Sequence, residues 1–207
     1  ALSLVGSEMC IRDRSKIALK YGGTIDKFVG DAILIFFGDP ETKGDKEDAY
    51  SCVLMALEMQ ERMHHLKNLW EGQGITNPLE IRIGINTGYC NVGNFGSENR
   101  LDYTIIGGEV NLASRLESNA MTGQILISQE TYALIKKHIV CEKKDEIKVK
   151  GIAHKIQTYQ VVGSYKKIAQ KRKILNEKFD GFNLNIDLNI SKKNKVITSL
   201  ENTLKQL

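Results

Sequence analysis

The sequence predicts a mixed α/β domain of the split βαβ kind, and three observations lead to that prediction. The 207 residues are 42% hydrophobic and 26% charged, which is the balance of a folded globular chain. Short runs of β-branched and aromatic residues alternate with longer segments whose apolar residues recur at helical spacing. Short turns that contain glycine join the strands of two predicted pairs, which predicts hairpins with the helical segments between them. The length fits one domain with an appendage better than two full cores.

The first elements along the chain are predicted to be a β-hairpin and a long helix. Residues 24–29 and 32–37 are apolar runs separated only by Gly30-Asp31, which is the spacing of a two-residue hairpin turn. Apolar residues then recur at helical spacing over residues 45–70, and Gly72 and Gly74 end this helix.

Further along, another strand pair is followed by alternating helices and strands. Residues 79–86 and 89–94 are expected to pair around Thr87-Gly88. The remaining predicted elements are a helix over residues 109–118, a strand over 124–127, a helix capped by Ser128 that runs to 137, and a last strand pair over 147–150 and 157–162.

Charge is distributed unevenly along the chain, which argues against one class of partner. Residues 164–207 carry ten Lys/Arg against four acids, whereas residues 1–163 carry 19 against 21. The main body is therefore not expected to bind nucleic acid. Residues 164–207 are predicted to be a solvated basic extension with a short amphipathic helix over 196–207. A weak contact of this extension with a membrane or a partner is the alternative.

Several features favour a cytoplasmic chain. The longest apolar run, residues 32–37, is too short to span a bilayer, and no secretory signal is expected. The four cysteines lie far apart in the sequence, which disfavours a disulfide framework and paired metal ligands. The sequence also lacks the motifs of P-loop, dinucleotide-binding, zinc-protease and serine-hydrolase sites.

Four residues could carry chemistry on their own properties. Asp31 lies in a tight turn at the rim of the predicted sheet, where it could hold a hard cation or only shape the hairpin. Asn111 and Arg115 are four apart on a predicted helix and share one face, which suits a sugar-phosphate ligand or an intrahelical surface pair. Lys27 is unexpected on an apolar strand and could therefore be functional. The alternative is that its aliphatic stem lies along the strand and its ammonium group reaches solvent.

Four motifs, read together, identify a family. They are residues 22–32 (GGTIDKFVGDA), 81–88 (IRIGINTG), 100–107 with 110–117 (RLDYTIIG and VNLASRLE), and 149–151 with 158–159 (VKG and TY). In order and spacing they resemble the catalytic domain of class III nucleotidyl cyclases, and the resemblance covers residues 16–163. It implies a ferredoxin-like sandwich of helices and strands.

The resemblance also implies a reaction and roles for individual residues. Such domains act as head-to-tail homodimers that convert a nucleoside triphosphate to a 3′,5′-cyclic monophosphate and pyrophosphate, using two Mg²⁺ or Mn²⁺ ions. By this resemblance Asp31 is the second of two metal-binding aspartates. Asn111 would position the ribose, and Arg115 would stabilise charge on the transferring phosphorus.

Lys27 and Thr104 match the two positions that read the base in this family. Adenine offers an acceptor at N1 and a donor at N6; Lys donates and a Thr hydroxyl can accept, so this pair suits ATP. A guanine reader is expected to carry an acid at position 27. A guanylate cyclase, or a degenerate module that only binds nucleotide or dimerises, remains the alternative.

Two departures from the family pattern stand out. The first strand, which carries the first metal aspartate, is missing; residues 1–14 match no part of the domain and look foreign, leaving residues 15–163 as an incomplete catalytic domain. Ile152 stands where a phosphate-binding Lys is expected, and Lys155 could substitute for it. We therefore expect this chain to bind metal poorly and to turn over little. The longer gene product, with an upstream sensor or membrane segment, is expected to be active in signal transduction.

Overall fold

Helices and strands alternate along the chain, as the sequence predicts. The computed structural model describes residues 2–72, 74–75, 78–97, 100–149, 155–171, 174–187 and 193–205. The chain divides into two compact units, Ala1–Val162 and Gly163–Leu207. None of the helices in the described ranges combines the length and apolarity needed to cross a membrane. The elements, in order, are α1 (Leu2–Lys20), β1 (Thr24–Val29), β2 (Ala32–Phe36), α2 (Asp45–Gly72), β3 (Ile83–Ile85), β4 (Asn91–Ser97), β5 (Arg100–Ile106), α3 (Gly108–Asn119), β6 (Ile125–Ser128), α4 (Gln129–Ile135), β7 (Ile139–Lys143), β8 (Thr158–Ser164), α5 (Tyr165–Lys171), β9 (Ile174–Phe179), β10 (Phe182–Asp187) and α6 (Lys193–Leu204).

The strands of the described ranges form one four-stranded sheet and three two-stranded hairpins. The four-stranded sheet has the order β3-β6-β8-β7, in which β3 and β6 are parallel and β6 and β8 antiparallel. The hairpins are β1-β2, β4-β5 and β9-β10. The parallel strands β3 and β6 are joined by a crossover that contains α3, which is the βαβ connection that the sequence predicts.

Helix α2 supplies more buried residues to the core of the first unit than any other described element. Three acids in its first turn complement the positive end of the helix dipole, which favours a helix start at Asp45. Val53 and Ala56 on one face pack against Ile85 of β3 and Ile127 of β6. Met55 and Met59 on a neighbouring face pack against α1 and the β1-β2 hairpin. The long apolar face predicted for residues 45–70 is therefore buried on two sides.

The N-terminal segment takes part in this packing, which the sequence did not predict. Residues 1–14 were expected to lie outside the domain, yet α1 is continuous through them. Cys10 is buried against Met63 and Leu66 of α2, and Asp13 forms an ion pair with Arg62 at 2.8 Å. Helical spacing places these side chains on the α2-facing side, so residues 9–14 belong to the packed unit. The foreign origin of residues 1–14 stays a prediction.

Two predicted strand pairs are wrong. Residues 79–86 and 89–94 do not pair: β3 pairs with β6, and β4 pairs with β5. Residue 147 makes only an isolated bridge to Ile156, and β8 lies between β6 and β7 instead. The partner of β3 is distant in sequence, whereas β4 pairs with the adjacent strand β5, which was not predicted. Charged residues over 142–148 and at Asp102 obscure the apolar alternation.

Other local predictions are confirmed, and a hairpin of the second unit was missed. The β1-β2 hairpin and helices α2 and α3 form where the sequence places them, and Ser128 accepts a hydrogen bond from the backbone N–H of Thr131 as the N-cap of α4. In the second unit, β9 and β10 form a hairpin around Asp180-Gly181, where Gly181 has φ 80°. An Asp-Gly pair is a strong hairpin signal and could have predicted this turn.

Gly84 allows β3 to pack directly against the backbone of α3. An added Cβ at Gly84 would lie 2.1 Å from the backbone nitrogen of Glu117 and 2.3 Å from the carbonyl oxygen of Ala113. Both neighbouring atoms are backbone, so no side-chain rotation could relieve such a contact. Close packing at this glycine therefore sets the position of α3 above the sheet.

We expect Gly84→Ala to lower the free energy of unfolding by at least about 1–3 kcal/mol, because the methyl group would push α3 off β3. Urea denaturation followed by circular dichroism measures this change. Gly72→Ala is the matched control: its added Cβ meets no atom within 4 Å, so stability should stay the same or rise slightly. Equal stability of the two variants would contradict the close packing.

Candidate active site

A bulge in β1 turns one carboxylate into the protein. The β1-β2 register shifts between Ile25 and Lys27, which leaves Asp26 as the extra residue. The Asp26 side chain is only 1% exposed. Its Oδ2 accepts a hydrogen bond from Thr104 Oγ1 at 2.9 Å and lies 3.6 Å from Lys27 Nζ. Asp26 thus joins the two residues predicted to read a base, although they belong to separate hairpins.

Lys27 and Thr104 differ in their access to solvent. The side chain of Lys27 is 49% exposed, so its ammonium group is available to a ligand. Thr104 is 6% exposed and lies opposite Gly93 on β4, which offers no side chain. The arrangement provides an exposed ammonium donor beside a buried hydroxyl.

Asp31 lies where the sequence places it, in the exposed turn between β1 and β2. Its backbone carbonyl accepts a hydrogen bond from Arg14 Nη2 at 2.7 Å, so a guanidinium cation lies beside the turn. Arg14 itself is buried and also donates from Nε to the carbonyl of Cys10 at 3.4 Å. Arg14 therefore anchors the turn to α1.

The surroundings of Asp31 do not fit a pair of divalent cations. Within the described ranges, no three His, Cys, Asp or Glu side chains are grouped closely enough to hold a metal ion. Asp13, the nearby carboxylate on α1, is already paired with Arg62. Mg²⁺ and Mn²⁺ favour several oxygen ligands, whereas this turn offers the single carboxylate of Asp31 next to the cation of Arg14.

Helix α3 presents Asn111 and Arg115 to solvent. Buried Leu112 and Leu116 hold the helix against the core, and both predicted site residues lie on the adjacent, exposed face of the helix. Within the described part of the chain, the Arg115 guanidinium forms no ion pair. A planar cation and a neutral amide, one turn apart and both exposed, can contact an anionic ligand together.

Asn86 fixes the start of α3 and was not singled out from the sequence. Its Nδ2 donates to Glu109 Oε2 at 2.7 Å and to the Glu109 carbonyl at 3.2 Å. Its Oδ1 is buried without a hydrogen-bond partner among the described residues. The Asn-Thr-Gly motif after β3 was the available signal, because Asn at a strand end often bonds to nearby backbone.

The structure brings some predicted site residues together and leaves others apart. Lys27 and Thr104 meet through Asp26, whereas no contact within the described ranges joins Asp31 to Asn111 or Arg115. Lys155 is exposed next to the isolated bridge at Ile156 and contacts none of the others. Position 152, where a phosphate-binding Lys was expected, lies outside the described residues.

The thiol of Cys90 lies close to the start of α3. Burial raises its pKa, and the carboxylate of Glu109 raises it further. Burial also raises the pKa of Cys52 to about 12 and that of Cys141 to about 11. All three thiols are therefore largely protonated, and poorly nucleophilic, near neutral pH.

The whole arrangement matches one family. The model for the adenylate and guanylate cyclase catalytic domain matches residues 16–163. The solved adenylyl cyclase CyaB from P. aeruginosa has 58% sequence identity and a TM-score of 0.77, over 80% of this chain and 85% of that one. The solved guanylyl cyclase Cya2 has 34% identity and a TM-score of 0.72, over 78% of this chain and 80% of that one.

A curated relative, the terminal-differentiation specific adenylate cyclase of Dictyostelium discoideum, is 36% identical over 146 residues, which is 68% of this chain and 7% of that protein. The chain spans less than a third of the length of further curated adenylate cyclases that it matches.

We expect Glu109→Gln to speed alkylation of Cys90, because removing the carboxylate lowers the pKa of the thiol. The gain should stay below about tenfold, since burial is the larger cause and remains. Iodoacetamide labelling with peptide mapping separates Cys90 from the other cysteines, and its rate should still rise above pH 9.0 in the unaltered chain. Glu130→Gln on α4 is the control; an unchanged rate in Glu109→Gln would contradict the prediction.

Proposed function

The chain belongs to the adenylate and guanylate cyclase catalytic domain family, and from this we propose that it is an adenylate cyclase catalytic domain that converts ATP to 3′,5′-cyclic AMP and pyrophosphate. The proposed catalytic region is residues 15–163. The observation that carries the choice of ATP is the Lys27–Asp26–Thr104 contact. A cyclic nucleotide product would give the protein a role in signal transduction.

Recognition of adenine is assigned to Lys27 and Thr104. Lys27 donates to N1 of adenine, and Thr104 accepts from the N6 amino group. Asp26 is an acid beside Lys27, but its carboxylate already accepts a hydrogen bond from Thr104 and pairs with Lys27. It is therefore not available to accept from the N–H groups of guanine. The solved relative with 58% identity is an adenylyl cyclase, which supports the same choice.

The ribose and phosphates are assigned to Asn111, Arg115 and Lys155. Asn111 orients the ribose so that its 3′-oxygen faces the α-phosphorus. Arg115 neutralises negative charge that develops there as pyrophosphate leaves, which needs a permanently charged planar group. Lys155, which is exposed, contacts the triphosphate as a point charge.

A second copy of the chain is proposed to complete the site. Asp31 lies on the β1-β2 turn and the Asn111–Arg115 pair on α3, and no described contact joins them within one chain. Exposed apolar side chains lie on the two hairpins nearest these groups, and apolar patches of this kind mark interaction surfaces. They are Phe28, Val29, Phe95, Leu101, Tyr103 and Ile106.

A second candidate function is a cyclase-like module that binds nucleotide or dimerises without turnover. The observation that favours it is the setting of Asp31, where Arg14 lies beside the turn and Arg62 occupies the carboxylate of Asp13. For the chain as it stands we propose very low turnover, because the described residues offer one carboxylate where the family uses two.

We expect the purified chain to form cyclic AMP at less than about a hundredth of the rate of CyaB under the same conditions with Mn²⁺. A chimera in which the corresponding N-terminal strand of the CyaB catalytic domain replaces residues 1–14 should gain activity, since it restores the first metal-binding aspartate beside Asp31 and removes Arg14. Chromatography of labelled ATP products measures both. In the chimera, Arg115→Ala should lower the rate by about 10²–10³. A chain that matches CyaB would refute the assignment of low turnover.

We expect the chain to bind ATP more tightly than GTP, and Lys27→Glu to reduce that preference, because Glu accepts from the N–H groups of guanine but cannot donate to N1 of adenine. The shift in the ratio of dissociation constants should be about tenfold or more. Isothermal titration with each nucleotide measures it, and Lys137→Glu, an exposed charge reversal two residues after α4, is the control. Tighter binding of GTP by the unaltered chain would favour a guanylate cyclase.

A further inference from the structure

Thr104 alone does not decide which purine is bound. A threonine hydroxyl has one hydrogen to donate and two lone pairs that accept. If it rotates freely, it can donate to an oxygen at C6 of a purine as readily as it accepts from an amino group there. Discrimination at C6 therefore needs a third group that fixes the direction of the hydroxyl hydrogen.

Asp26 is placed to do this. Its carboxylate is 1% exposed, and its Oδ2 lies 2.9 Å from Thr104 Oγ1. A carboxylate only accepts hydrogen bonds, so the hydrogen in this contact comes from Thr104. Lys27, whose Nζ lies 3.6 Å from the same oxygen, pairs with it as a cation with an anion. Thr104 is itself buried, which leaves its hydroxyl few other partners.

We propose that Asp26 is a positioning residue for base selection. By taking the hydrogen of the Thr104 hydroxyl, it leaves that oxygen able only to accept, so the site requires a donor at C6 of the purine. The inference rests on the proposed function, in which Lys27 and Thr104 face the base. An amino group at C6 donates a hydrogen bond to Thr104 Oγ1. An oxygen at C6 would instead face Thr104 Oγ1 as a second acceptor, and neither buried oxygen would have a donor.

Two matched nucleotides isolate this contact. N6-methyl-ATP and 6-methoxypurine riboside 5′-triphosphate have substituents of similar size and the same acceptor at N1, but only the first carries an N–H at C6. Competition against a fluorescent ATP analogue, in buffer with Mg²⁺, gives the two dissociation constants for the full 207-residue chain. The unaltered chain should bind N6-methyl-ATP about tenfold more tightly.

Asp26→Asn should bring the two nucleotides to nearly equal affinity. The amide of Asn can donate to Thr104 Oγ1, which frees the hydroxyl hydrogen to face the base. Asp102→Asn is the matched control, since it also removes an acid from the hairpin region but lies on the exposed part of β5; it should keep the preference. In a Thr104→Val background, Asp26→Asn should change the ratio no further, because the proposed effect acts through the hydroxyl.

The outcomes separate this inference from the proposed function. Three results overturn the role of Asp26: an unchanged preference for N6-methyl-ATP in Asp26→Asn, the same loss of preference in Asp102→Asn, or a further loss of preference when Asp26→Asn is added to Thr104→Val. In each case, tighter binding of ATP than of GTP by the unaltered chain keeps the proposed function. Failure of the unaltered chain to bind ATP overturns both. If Asp26→Asn does not fold, the unaltered chain decides alone: equal affinity for the matched nucleotides overturns the inference.

Discussion

The carboxylate of Asp26 must be satisfied inside the protein, and this requirement links two hairpins that share no ladder hydrogen bonds. A buried carboxylate is strongly unfavourable unless donors surround it. The bulge in β1 turns Asp26 inward, and Thr104 of β5 and Lys27 of β1 supply the donors. A residue with no assigned contact to substrate therefore sets the relative position of two residues that are assigned one.

The position of helix α3 on the sheet depends on two contacts, one of them a close steric approach and the other a set of hydrogen bonds. Gly84 lets the backbone of α3 approach β3, and Asn86 binds the first turn through Glu109. Asn111 and Arg115 therefore lie on a helix fixed from the sheet side, with their side chains directed away from the core. Such an arrangement suits groups that meet a ligand arriving from outside.

Local features of this fold could be read from the sequence, and distant ones could not. The turn at Gly30-Asp31, the apolar face of α2 and the Ser128 cap depend on neighbours a few residues apart, so the patterns predicted them. The pairing of β3 with β6 and the position of β8 depend on strands distant in sequence. The β4-β5 hairpin is local, but Asp102 interrupts the apolar alternation of β5 and hides it. Asp26 was missed because a bulge changes the face on which a side chain lies, and alternation alone does not show bulges. Arg14 was missed because residues 1–14 follow no family pattern.

The β4-β5 hairpin has a consequence for handling the protein. In the part of the chain that the structure describes, no third strand pairs with either of its edges, and Phe95 and Leu101 are exposed on it. Open edges with apolar side chains template the addition of further strands. Concentrated stocks should therefore turn cloudy on warming or storage, and a Lys placed in this ribbon is the remedy that natural sheets commonly use.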